Sequence, residues 1–249
     1  MQTEIQTQAL RSLSYELRLF GIHSGVERRA QEALATNLHP LEYLNLVLDD
    51  EKRFRRERKA KVLNNRAKFR SDAELENWDQ SYDRGLSKVK LKDLSTLGFF
   101  ANKENTLLIG STGTGKTHLA IALGKKLCLE GVSVYFTSVN LLFEEAVAEK
   151  TAGKYLAWVK RLTQAGVIIL DDFALRQYNH EEATIFLDLI EERYRKGILM
   201  ITSQVDPKGW KKLFEDPVIA ESITDRMLNP AKTIELKGPS YRERFAVST

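Results

Sequence analysis

Residues Gly110-Ser111-Thr112-Gly113-Thr114-Gly115-Lys116-Thr117 match the phosphate-loop pattern G-x-x-x-x-G-K-[ST] at every fixed position. The context fits the pattern. An apolar strand, Thr106–Ile109, leads in, and a helix, Lys116–Leu129, leads out. The glycines let backbone N–H groups turn inward around a polyphosphate, and the helix N-terminus adds its positive dipole end. Lys116 supplies a point charge for β- and γ-phosphates, and the Thr117 hydroxyl is placed to ligate Mg²⁺. Outward from the loop, short apolar runs alternate with helical patterns. The expected strands are Thr106–Ile109, Val132–Thr137, Val167–Leu170, Ile198–Thr202 and Thr233–Leu236. The expected helices are Lys116–Leu129, Asn140–Glu149, Ala152–Gln164, Glu181–Arg195 and Pro217–Leu228. Such alternation predicts an α/β fold with a five-stranded parallel sheet covered by helices on both faces.

The strand Val167–Leu170 runs into Asp171-Asp172. A strand buried on both faces delivers Asp171 to the sheet's carboxyl edge, where the loop opens. Asp171 is expected to hold Mg²⁺, and Asp172 to orient the attacking water. The next strand ends in Ile201-Thr202-Ser203-Gln204. Gln204 is either a γ-phosphate or water contact or an ordinary loop residue. Arg226 is either a finger offered to a neighbouring subunit or a surface arginine paired with Asp225 or Glu221, and Arg242 has the same two readings. The four histidines show no ligand spacing, so no metalloenzyme follows. The single cysteine, Cys128, reads as an apolar filler on a helix.

Composition bounds the rest. The 249 residues carry a net charge of +4, 43% hydrophobic and 29% charged residues, which describes an ordinary globular chain. No apolar run approaches bilayer length, and the polar N-terminus lacks a secretion signal, so no membrane partner and a cytoplasmic location are expected. The charge is uneven. Residues 52–70 hold ten Lys or Arg against Glu57 alone, a net +9, leaving −5 elsewhere. That segment is expected to grip the phosphates of a polyanion through residues including Arg53, Arg55, Arg56, Arg58 and Lys59. Lys150, Lys154, Lys160 and Arg161 form a sparser basic set, in which Lys154 and Lys160 are further candidate DNA contacts. Residues 1–70 read as a small helical domain. Its stripes Leu10/Leu13/Leu17, Ala30/Ala33/Leu34/Leu38 and Leu41/Leu44/Leu48 are expected to form the bundle core. A capping box at Ser24 and Glu27 and a third helix opening at Pro40 are expected too. Residues 71–100 read as a connector, with a short helix capped by Ser71 and Glu74, and residues 101–249 as the nucleotide-binding domain.

GSTGTGKT, VIILDDF, ITSQ and the C-terminal SYR, behind the leucine-rich LRSLSYELRLFG and the phrase AKF at Ala67–Phe69, resemble the IstB-type helper ATPases of insertion-sequence transposition. These are relatives of DnaC helicase loaders and DnaA initiators within the AAA+ superfamily, and the resemblance covers nearly the whole chain. It implies an initiator-type AAA+ core with an extra helix after the second strand and cofactors ATP and Mg²⁺. It also implies ATP-dependent homo-oligomerisation on double-stranded DNA, and delivery of that DNA to a partner transposase. A DnaC-like helicase loader is the neighbouring alternative. On this pattern Arg226 is the trans-acting finger, Gln204 a first sensor and Arg242 a second. Asp172 stands where many AAA+ proteins have Glu, and Gln204 where many have Asn, so the resemblance implies slow turnover.

Overall fold

The computed structural model describes residues 2–194 and 196–245. Five parallel strands, β1 (Asn105–Gly110), β2 (Val134–Ser138), β3 (Val167–Phe173), β4 (Ile198–Ser203) and β5 (Ala231–Leu236), form one sheet in the order β2-β3-β4-β1-β5. Both faces of the central strands are buried, and the pleat divides their side chains with period two. Leu107, Ile168, Leu170, Leu199 and Ile201 enter one core, and Leu108, Val167, Ile169, Ile198 and Met200 enter the other. Each such side chain stabilises the fold by roughly 1.5–3 kcal/mol on burial. All five strands fall where the apolar runs place them, although β3 runs three residues further, through an irregular register between Leu170 and Phe173.

The first core lies under α7 (Val139–Thr151), α8 (Tyr155–Thr163), α9 (His180–Arg193) and α10 (Pro217–Leu228). An aromatic group anchors it, with Phe173 lying 4.6 Å from Trp210 between ring centroids. α9 opens with a reciprocal capping box between Asn179 and Glu182, and α10 with Asp216 ahead of Pro217. Arg193 is buried and donates to the carbonyls of Thr163, Ala165, Gly166 and Ile198, stitching α8 to the amino edge of the sheet. The second core lies under α6 (Lys116–Leu129), with α4 (Lys88–Ser95) and α5 (Gly98–Ala101). Cys128 sits there as expected, its thiol pushed up to about 11 by burial.

Residues 71–87 hold no helix among the described residues; Ser87, rather than Ser71, caps α4. The stretch has no helical period because docking decides its burial. Ala73, Leu75, Trp78 and Leu86 pack into the second core, as do Leu63, Ala67 and Phe69 just before it. Compactness therefore divides the chain at Val62/Leu63: one unit is 1–62 with 129–131, and the other is 63–128 with 132–249.

The first unit is helical: α1 (Gln2–Glu16), α2 (Phe20–Thr36) and the start of α3 (Pro40–Ala67). Pro40 opens α3, which carries the basic run as far as Ala67. The proposed bundle core is not what the structure shows. Leu10, Leu13, Leu17, Leu34, Leu41, Leu44 and Leu48 are all exposed, and the buried apolar residues are Ile22, Val26 and Val47, with Leu19 and Tyr43 against them. The reason is the glycine face of α2. At Gly21 a Cβ would meet Glu51 Cα at 2.7 Å, so α2 and α3 cross too closely for large side chains. Polar ties hold that crossing. Glu51 Oε2 accepts from Gly21 N (2.7 Å) and Ile22 N (3.2 Å), and Arg29 grips Asp50 through Nε (2.7 Å) and Nη2 (2.9 Å). α2 starts at Phe20, so Ser24 lies inside it and bonds back to the Gly21 carbonyl instead of capping.

Candidate nucleotide site

The loop leaves the carboxyl end of β1 and enters α6 at Lys116. Gly113 holds a left-handed φ of 80°, and its carbonyl accepts from Tyr241 N at 2.9 Å, so the C-terminal SYR segment braces the loop from outside. Lys116 is largely buried and Nζ donates to the carbonyls of Gly110 (2.7 Å) and Ser111 (2.8 Å). Burial lowers its pKa, and the carboxylates of Asp172 and Asp171 work against that shift. A cation held half-desolvated on carbonyls is primed to gain by meeting phosphate.

Asp171 stands at the end of β3 with its side chain 2% exposed. Its Oδ1 accepts from Thr117 Oγ1 (2.8 Å) and from Thr202 Oγ1 (2.6 Å), and the Thr202 oxygen in turn accepts from Asp172 N at 3.0 Å. The strand irregularity gives Asp172 a left-handed φ of 60°, a conformation worth of order 1–3 kcal/mol of strain that places its carboxyl beside the loop. Its pKa is raised, first by burial and then by the Asp171 charge, with Arg70, Lys116 and Arg242 opposing. Thr117 and Asp171 are hard oxygen donors one hydrogen bond apart. That donor set fits Mg²⁺, which takes few protein ligands and completes its shell with water and phosphate.

Gln204 Oε1 accepts from Thr112 Oγ1 at 2.8 Å, and Arg242 lines the same cleft, so both are brought to the loop. The cleft, about 230 Å³, is also lined by Asn77, Asp79, Arg84 and His118. Thr202 and Arg84 escaped the sequence reading. Thr202 lies inside the quoted ITSQ, where its place in a strand abutting β3 was the available signal. Arg84 had none: its buried guanidinium is stacked 3.5 Å from the Trp78 ring centroid and 4.6 Å from that of Tyr241.

Arg226 is not brought to the loop of its own chain. Its carbonyl accepts from Asn105 Nδ2 at the start of β1, one strand length, about 17 Å, from the loop. Its guanidinium donates to Ser222 and lies 3.7 Å from Glu191. Neither Asp225 nor Glu221, the expected surface partners, holds it; these bond Asn229 and Lys211 instead.

Among the basic residues, Arg53 pairs with Asp50, Arg55 with Glu51 (2.6 Å) and Arg56 with Glu130 (2.6 Å), while Arg58 lies 5.7 Å from the Phe20 ring centroid. Lys59, Lys154 and Lys160 are exposed or nearly so on α3 and α8. In the second unit Arg66 and Lys68, the end of the basic run, line one open groove of about 1010 Å³ together with Lys154 and Arg161.

A phosphate loop on a 2-3-4-1-5 parallel sheet, with a threonine–aspartate pair at its carboxyl edge, defines a phosphate-loop nucleotide-binding fold. Solved structures share the fold. They include the DnaC helicase loader (TM-score 0.56, 20% identity, 67% of this chain and 97% of that one) and DnaI (0.54, 24%, 68% and 90%). At the level of sequence the relatives are nearer. A Pseudomonas aeruginosa protein of insertion sequence IS21, named for ATP binding, is 32% identical over 94% of this chain and 88% of its own length. A Mycobacterium tuberculosis insertion-sequence protein, also named for ATP binding, is 32% identical over 95% and 94%. The chain belongs to the IstB-like ATP-binding protein family, which it matches over residues 12–248. Among the described residues no helix is long and apolar enough to cross a membrane.

Proposed function

We propose that this chain is an ATP-hydrolysing helper of transposition. It assembles as a homo-oligomer on duplex target DNA, with little sequence preference, and delivers that DNA to a partner transposase, with hydrolysis controlling release. The observation that carries the reading is the convergence of Lys116, Thr117, Asp171 and Asp172 at one sheet edge, in a chain whose relatives are named for ATP binding and for insertion sequences.

On this reading residues 110–117 cradle the phosphates, with Lys116 leaving its two carbonyls for them. Thr117 and Asp171 hold Mg²⁺, which when bound neutralises phosphate charge. Asp172 orients the water. Its side chain, one methylene shorter than glutamate, suits a slow reaction, one in which nucleotide lifetime times an assembly. Gln204 and Arg242 sense the phosphates from the same chain. Arg226, at the opposite sheet edge, serves the site of a neighbouring protomer, which makes ATP binding a condition of assembly. For DNA, Arg66, Lys68 and Lys154, which line one groove, support phosphate contact better than the start of the run, because Arg53, Arg55 and Arg56 already have acidic partners, as Arg161 has in Glu149.

Electron microscopy with duplex DNA and a non-hydrolysable ATP analogue tests the proposal. Ordered oligomers are expected with both present; monomers alone under those conditions refute it. Arg226→Ala should abolish the oligomers while leaving nucleotide affinity within about two-fold.

A further inference from the structure

The basic run ends against the nucleotide site. α3 stops at Ala67, and Lys68 takes a left-handed φ of 55° that turns the chain. Phe69 then packs edge-on to Phe136 of β2 at 5.9 Å. It also fits beside Gly124 of α6, where a Cβ would lie 2.9 Å from the Phe69 ring. With Phe69 anchored, the Arg70 guanidinium lies 5.6 Å from the Phe136 ring centroid, and Nη1 lies 3.9 Å from Asp171 Oδ2.

The two oxygens of Asp171 are thus divided. Oδ1 takes two neutral hydroxyl donors, Thr117 and Thr202, while Oδ2 faces a cation. A buried carboxylate oxygen gains from a cation placed beside it. Arg70 supplies that cation from a side chain that is itself 47% exposed and so free to leave.

We propose that Arg70 is a tethered counter-ion of Asp171 that the divalent cation displaces, and that its departure loosens residues 68–70 at the end of the basic helix. The proposal rests on reading Thr117 and Asp171 as the magnesium ligands. A divalent cation on the Thr117 side, at Oδ1, and the Arg70 guanidinium at Oδ2 would stand a few ångströms apart on one carboxylate and repel each other, so metal binding works against the Arg70 contact. Arg70 is a positioning residue. It links the charge state of the site to the segment that runs into the groove lined by Arg66 and Lys68.

The test titrates Mg²⁺ into the full chain with a fluorescent non-hydrolysable ATP analogue, so that no turnover enters the readout. Arg70→Ala and Arg70→Gln should lower the Mg²⁺ concentration for half-maximal strengthening of binding about five-fold. Affinity in chelator should stay unchanged, and Arg70→Lys should fall between the variants and wild type. An unchanged Mg²⁺ midpoint overturns the inference, and so does weaker binding in chelator, which would place the guanidinium on phosphate. If Mg²⁺ strengthens binding in no version, wild type included, the magnesium reading itself fails and the inference falls with it. Hydrogen exchange on the wild-type chain gives a second readout that needs no variant. The analogue with Mg²⁺ should speed exchange of the last-turn amides of α3, residues 64–67, several-fold over the analogue in chelator; equal rates overturn the proposal.

Discussion

Thr202→Val removes one oxygen and keeps the side chain's shape, so its consequences can be worked from two hydrogen bonds. Thr202 is fully buried. Its hydroxyl donates to the Asp171 carboxylate at 2.6 Å and accepts from Asp172 N at 3.0 Å. Losing a hydrogen bond to a charged group costs about 1.5–3 kcal/mol, and leaving a backbone N–H unpaired costs about 1–3 kcal/mol. Thr117 still serves the same Asp171 oxygen, and the Asp172 amide is only part-buried, so the lower ends apply and the total is about 2.5 kcal/mol. For a chain of this size each kcal/mol shifts Tm by about 2–4 °C, which predicts a fall of about 8 °C by calorimetry. Thr202→Ser keeps both bonds and loses one methyl, so it should cost about 1 kcal/mol, near 3 °C. The valine variant should also bind the ATP analogue more weakly in Mg²⁺ than wild type, with a smaller loss in chelator, because Asp171 is no longer pinned. A valine variant melting within 2 °C of wild type refutes the reasoning. A serine variant as unstable as the valine one does so too.

Three further outcomes follow from the same geometry. Lys116→Ala should weaken ATP binding at least 100-fold by equilibrium titration, because two loop carbonyls hold the ammonium where phosphate must arrive. Gly113→Ala places a Cβ 2.0 Å from Ser240 Oγ at a φ of 80° and should cost about 3 kcal/mol in chemical denaturation; Gly153→Ala, with a φ of 68° and nothing within 4 Å, should cost about 1 kcal/mol. Acid should weaken the α2–α3 crossing: Arg29 holds the Asp50 carboxyl below its ordinary range, so that stabilisation is complete above about pH 4 and is lost as pH falls through the lowered value. Asp50→Asn should remove much of that acid sensitivity and cost about 2 kcal/mol at neutral pH, both read from denaturation of the full chain by circular dichroism.

The parts of the fold that were legible carry local punctuation. Lys116 after a glycine pair and Pro217 after Asp216 gave the starts of α6 and α10, and apolar runs of buried-strand length gave the sheet. The leucines of α1 to α3 misled because periodicity shows that a helix face is apolar without showing what meets it. The close crossing was decided by one small residue, Gly21, which leaves no period. Residues 71–87 were opaque for a related reason. Trp78 and Arg84 are buried by a long-range return of Tyr241, and no local pattern encodes a partner more than 150 positions away. At the site, Lys116, Thr117 and Asp171 were readable because their chemistry needs fixed spacing. Arg70 was readable only as charge; its approach to Asp171 depends on the turn at Lys68.

The brace of Tyr241 on Gly113 sets an order of events during synthesis. At about 10 residues per second, roughly twelve seconds separate the appearance of Thr117 from that of Tyr241. Strand β1 also waits, since its neighbours β4 and β5 both follow it by about 90 residues or more. Through that interval the ribosome-borne chain carries its nucleotide loop without the strands or the segment that support it. On the proposed function, a braced loop is therefore the mark of a finished sheet, because Tyr241 reaches Gly113 only after all five strands have been made.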